Sequence, residues 1–164
     1  MEKITQSKSD INDVSEKLKS IGGPLATRGF WLESVYLDEG VIKILFSSDS
    51  DENDLTVISI DSAVHFQRTD ESYKIETFHE MVAPTSSNLN PMFSNGERFF
   101  EVLDKKYTEW VLKDHYFPLD DDCKMYVLFF SESYIEILSY DPPVFSKVKS
   151  KQEYYSDLSN DILS

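Results

Sequence analysis

The sequence predicts an α+β fold: a mostly antiparallel, curved sheet of about seven or eight strands, with an N-terminal helix and one short helix packed on it. Three observations predict it. Runs of branched and aromatic residues follow one another between residues 28 and 139 with turn signals between them. Most of their connections are too short to hold the helix that a parallel crossover needs. Two stretches, near residues 9–21 and 104–113, switch from alternation to a three-and-four spacing.

Taken in order, residues 9–21 place Ile11, Val14, Leu18 and Ile21 on one helical face, with Ser9 or Asp10 as a cap and Gly22-Gly23-Pro24 as the stop. Residues 31–37 and 41–46 flank Asp38-Glu39-Gly40 and read as a hairpin, with Ile42, Ile44 and Phe46 on one face. Residues 47–54 read as a polar, acidic loop. Two further strands, 55–60 and 63–68, are separated at Asp61-Ser62, and a shorter one follows at 73–78. The stretch 83–96 carries two Pro, one Gly and several Ser and Asn, and reads as a long connection inside one domain. Residues 98–103 resume as a strand. Asp104 caps a short helix whose buried side holds Tyr107, Trp110 and Val111. Residues 125–130 and 134–139 form a last hairpin, ended by Asp141-Pro142-Pro143. The expected organisation is one domain over 1–146 and a polar C-terminal tail over 147–164 that frays, with a weak helix near 154–162.

A hydrophobic fraction of 40%, with eleven Phe, nine Tyr and two Trp, supplies a core and excludes a disordered chain. Thirty acidic residues against sixteen basic ones give a net charge of −14, spread over both halves of the chain. Such a surface repels nucleic acid and anionic membranes and attracts basic proteins. The one cysteine, Cys123, forbids an internal disulfide and fits a reducing compartment. It follows three aspartates, which oppose thiolate formation and argue against a catalytic thiol. No secretory leader or membrane-spanning apolar run is legible, so the expected location is the cytoplasm.

The search for chemistry returns little. Asp49, Asp51 and Asn53 match the opening of a calcium loop, but Asp54 stands where glycine is needed and Ile60 where a bidentate glutamate is needed. His65, His79 and His115 have no partner at metal-ligand spacing. No nucleophile elbow, phosphate-binding glycine loop or basic groove is present. The expectation is therefore no catalytic residues, no metal and no cofactor.

The acidic clusters remain as candidate binding residues: Asp49, Asp51, Glu52 and Asp54 in one segment, and Asp120, Asp121 and Asp122 in another. Clustered carboxylates steer a basic partner and speed its docking. Trp31, Trp110, Tyr116 and Phe117 are the aromatic anchor candidates beside polar neighbours.

Two segments carry a resemblance. Residues 63–73 place a strand before an Arg68-Thr69-Asp70-Glu71 turn. Residues 100–110 lead a strand into a short helix ending at Trp110, followed by the 126–139 hairpin and Asp141-Pro142-Pro143. This ordering, over residues 63–143, resembles a loose group of small bacterial proteins of unknown activity, some found in toxin–immunity gene neighbourhoods. The resemblance implies a binding protein and carries over no catalytic signature. The expected function is a non-enzymatic acidic protein-binding module, an immunity-type inhibitor of a basic toxin or nuclease. Its expected partner is a basic protein, not nucleic acid and not a membrane. An enzyme with a carboxylate–His site and a self-associating structural protein are the alternatives.

Overall fold

The computed structural model describes residues 18–21, 29–70, 98–113, 121–131 and 133–163. The expected single curved sheet with an N-terminal helix is corrected to two antiparallel sheets with two helices, 58% strand and 19% helix among these residues. One sheet has five strands: β1 (Leu18–Ser20), β6 (Phe99–Val102), β7 (Lys124–Phe129), β8 (Ser133–Ser139) and β5 (Ala63–Asp70), in that spatial order. The other has four: β2 (Phe30–Asp38), β3 (Val41–Ser48), β4 (Asp51–Ile60) and β9 (Val144–Val148). Helix α1 is Lys105–Val111 and helix α2 is Lys151–Leu163.

Two sheets form because β3 and β7 are apolar on both faces. On β7, Tyr126 and Leu128 point between the sheets, while Met125, Val127 and Phe129 point away, and all are buried. A strand of that kind needs cover on both sides. Between the sheets, Phe30, Ile44, Phe46 and Ile58 meet Phe99, Leu128, Ile135 and Ile137. Phe99 sits centrally, its ring 5.2 Å from Phe30, 5.4 Å from Phe46, 5.5 Å from Phe130 and 5.9 Å from Phe145. The outer face of the five-stranded sheet packs on Tyr107 and Leu112 at α1. The outer face of the four-stranded sheet, Leu45, Leu55 and Val57, packs on Tyr154 and Leu158 of α2. The order of layers is helix, sheet, sheet, helix.

The chain changes sheets three times, and two of the links, β4 to β5 and β8 to β9, are short. Between β4 and β5 only Asp61 and Ser62 intervene, and Ser62 takes a φ of 54°. Ser139 Oγ donates to the Asp61 carbonyl at 2.7 Å, and the Tyr140 amide donates to Ser62 at 3.3 Å. Local pattern reads this link as a hairpin; the pairing of β5 with β8 and of β4 with β9 overrides it.

The β2–β3 hairpin forms as its sequence predicts. Asp38 pairs with Val41 around Glu39-Gly40, whose φ values of 35° and 87° suit a two-residue turn matched to strand twist. Asp104 caps α1 through its side chain, which accepts from the Lys106 amide at 2.9 Å.

Two expectations change at the ends of the described chain. Leu18–Ser20 is a strand on the edge of β6, not the end of a helix, because β6 offers an open ladder and Leu18 is buried by alternation rather than by a helical face. The remainder of the expected N-terminal helix, the 73–78 strand and the 83–96 connection lie outside the described residues. The stretch from 147, expected to fray, instead ends β9 and forms α2, which contains and extends the weak helix expected near 154–162. A Ser150-x-x-Glu153 box starts α2: the Glu153 amide donates to Ser150 Oγ at 3.1 Å, and Glu153 Oε2 accepts from the Lys149 amide at 2.8 Å.

Candidate functional site

The two acidic clusters fall at opposite ends of the sandwich. Residues 49–54 lie where β3 meets β4, the end that also holds Phe30 and the β7–β8 turn, since the Ser131 amide donates to the Phe30 carbonyl at 2.9 Å. Asp121 and Asp122 precede the start of β7, and Lys124 there pairs with Ser139, at the end marked by Ser62 and Tyr140. Asp120 lies outside the described residues, as do Tyr116, Phe117, His79 and His115.

The segment read as a loop over 47–54 is mostly strand. Only Asp49 and Ser50 form the turn, and the ladder then steps from the Ser48–Asp51 pair to the Ser47–Leu55 pair. Glu52, Asn53 and Asp54 bulge out of the β3 pairing as a result. The Asp51 carboxylate accepts from the Asn53 amide at 2.9 Å. The Asp49 side chain closes over Gly29, where an added Cβ would stand 2.2 Å from its Oδ2.

Electrostatic partners sort these acids into two kinds. Asp54 is bound by Lys147 of β9, and Asp121 by Lys105 of α1. The Lys105 ammonium lowers the Asp121 carboxyl below its ordinary value, and Asp121 raises the lysine in return. Asp49, Asp51 and Glu52 are exposed, and among the described residues no lysine or arginine bridges them. Trp31 stands at the same end, on the outer face opposite Ser47, and is 45% exposed. Trp110 is half-buried against Tyr107 at 5.8 Å, so it is a packing residue first.

Sequence reasoning missed Glu33. The β2 bulge between Leu32 and Ser34 leaves it facing α2, where Lys151 Nζ donates to it at 2.5 Å and Ser47 Oγ at 2.7 Å. These hydrogen bonds, Lys151 first, hold its carboxyl below the usual range. No local pattern announces this pair, because its partners are 118 residues apart.

It also missed two interior carboxylates. Glu136 reads as an outward residue in the alternation Tyr134-Ile135-Glu136-Ile137, yet it is fully buried. Tyr107 OH donates to Glu136 Oε1 at 2.5 Å and Tyr134 OH donates to it at 3.3 Å. Burial, together with the carboxylate, raises both phenols far above their ordinary value. The network ties α1 to β8. Glu101, on the other face, is held between Lys19 at 3.2 Å and Lys124 at 3.3 Å and ties β1 to β7. Beside it a cleft of about 290 Å³ is lined by Glu101, Lys105, Glu109, Asp121, Cys123 and Lys124. Both of its lysines already hold a carboxylate.

Among the described residues no group of His, Cys, Asp and Glu side chains is arranged to hold a metal ion, and no helix is long and apolar enough to cross a membrane. His65 lies on β5, at an edge of the five-stranded sheet. Comparison with protein-family models, characterised proteins and solved structures returns no match for this chain.

Proposed function

We propose that this chain is a non-enzymatic, acidic protein-binding module that acts in the cytoplasm. In its sharpest form it is an immunity-type inhibitor that neutralises a basic toxin or nuclease by presenting carboxylates where that protein expects phosphates. The observation that carries the reading is the β3–β4 end, where Asp49, Asp51 and Glu52 are exposed and, among the described residues, none of them is in a salt bridge, beside a 45% exposed Trp31. Carboxylates of that kind steer a basic partner over distance, and a half-exposed tryptophan supplies the apolar anchor that a contact needs. Asp54, Asp121 and Asp122 contribute to the long-range field, the first two through charges already shared with a lysine.

The test begins with the immobilised full chain and a lysate of the cells that make it, at low salt. A basic protein released as salt rises is the expected result. Its association rate should fall at least tenfold for the variant Asp49→Asn, Asp51→Asn, Glu52→Gln, with the difference vanishing at high salt. An unchanged rate at low salt would remove this end from the interface. Capture of no basic protein would overturn the reading as a whole.

A further inference from the structure

A groove of about 350 Å³ lies at the opposite end of β3, between the tip of the β2–β3 hairpin and the first residues of β5. Eight residues of strand separate it from the acidic turn, ~25 Å along the sheet. Its lining is apolar at Leu37, Ala63 and Phe66, and Leu37 is 51% exposed. Phe66 leads inward to the core between the sheets. The Ala63 amide donates to the Gly40 carbonyl at 2.7 Å and joins the hairpin tip to the start of β5.

Its rim is acidic. Asp38 and Glu39, both exposed, stand on it, His65 of β5 lines the groove as well, and no lysine or arginine is among the lining residues. Asp38 accepts from Tyr36 OH at 3.2 Å, which fixes it at the rim without neutralising it. Two edge strands, β2 and β5, form the walls, so the groove opens to solvent along the side of the sandwich.

We infer that this groove is a second docking surface, and that it takes a protein segment presenting lysine or arginine beside a large apolar side chain. The acidic rim selects the cation, and the apolar lining takes the neighbouring side chain. A nucleic acid is repelled by the rim. For a small ion, no group of His, Cys, Asp and Glu side chains among the described residues is arranged to bind it. The inference does not depend on the β3–β4 end, and separate variants keep the two apart.

The probe is the peptide acetyl-Lys-Leu-Lys-Phe-Lys-amide, titrated into the full-length chain and followed by amide chemical shifts. The expected result is shifts centred on residues 37–42 and 63–66. Affinity should fall about tenfold for Asp38→Asn with Glu39→Gln and again for Leu37→Ser, and should be unchanged for Asp49→Asn, Asp51→Asn, Glu52→Gln. Equal binding by the glutamate counterpart of the peptide would overturn the inference. So would equal binding by acetyl-lysine-amide alone, or an equal loss in the β3–β4 variant. Shifts at 37–42 that depend on protein dilution without peptide would assign the groove to a second copy of the chain, and would overturn it too.

Discussion

Phe99 and Phe100 are consecutive on β6 and so point to opposite faces of the five-stranded sheet, yet both are fully buried. A single sheet packed on one side would bury only one of them. Two packed layers on one face and α1 on the other bury both, so truncating either should be costly. Phe99→Ala removes a ring that four others contact at 5.2–5.9 Å, and a buried Phe→Ala change costs ~3–5 kcal/mol, with this site toward the upper end. Among the described residues Phe100 meets the Phe129 ring at 6.1 Å, and Phe100→Ala should cost about 3 kcal/mol. Against a total stability of roughly 5–15 kcal/mol, both variants remain measurable by urea unfolding followed through tryptophan fluorescence. The expected outcome is two lowered midpoints with an unchanged slope. A cost under about 1 kcal/mol for either variant would place that side chain at a surface and refute the two-sided packing.

Three further outcomes follow from the same geometry. Tyr154 is the buried residue by which α2 packs on the four-stranded sheet, so Tyr154→Ala should cost about 3 kcal/mol and strip hydrogen-exchange protection from residues 151–163 before the sheets; a neutral result would restore the fraying tail. Asp104→Ala removes the cap of α1 and should lower stability by about 1 kcal/mol, with Asp104→Asn recovering most of it in the same urea assay. Burial raises Tyr107 and Tyr134 and pushes Tyr126 up to about 12, so between the unfolded value of about 10 and these folded values the native state holds more protons than the unfolded one. Stability should therefore be complete below about pH 10 and fall as pH rises above it, and a urea midpoint that stays level to about pH 11 would contradict the burial.

The parts of the fold legible in the sequence are those whose information is local. The β2–β3 hairpin announces itself through Asp38-Glu39-Gly40, α1 through Asp104 and β7–β8 through two apolar runs around a polar turn. Pairing between distant strands is not local. Asp61-Ser62 is as short as a hairpin turn, and only Ser139 and Tyr140, at the far end of the chain, turn it into a crossing between sheets. The signal that would have revealed two layers was present: β7 reads Lys-Met-Tyr-Val-Leu-Phe, apolar on both faces. So was the signal for α2, in the Ser150-x-x-Glu153 box and the spacing of Tyr154 and Leu158. Leu18–Ser20 carried no such sign, since three residues fit either period and the edge of β6 decided between them.

For the candidate site, sequence supplies the acids but not their partners, and the partners decide what each acid does. Asp54 and Asp121 look equivalent to Asp51 along the chain, yet each fastens a distant element: Asp54 holds β9 through Lys147, and Asp121 holds the start of α1 through Lys105. Removing either carboxylate alters a structural tie as well as a field, so a slower association in such a variant has two explanations. Among the described residues Asp49 and Glu52 form no salt bridge, and Asp51 keeps its one backbone contact when changed to asparagine, whose side-chain oxygen still accepts from the Asn53 amide. Charge removed at those three positions breaks no salt bridge among the described residues, although Glu52 also acts on Lys151 of α2 through space. That makes them the residues where electrostatic steering can be read separately from stability, and an association rate that follows them while the urea midpoint stays fixed assigns the acidity of the β3–β4 end to recognition.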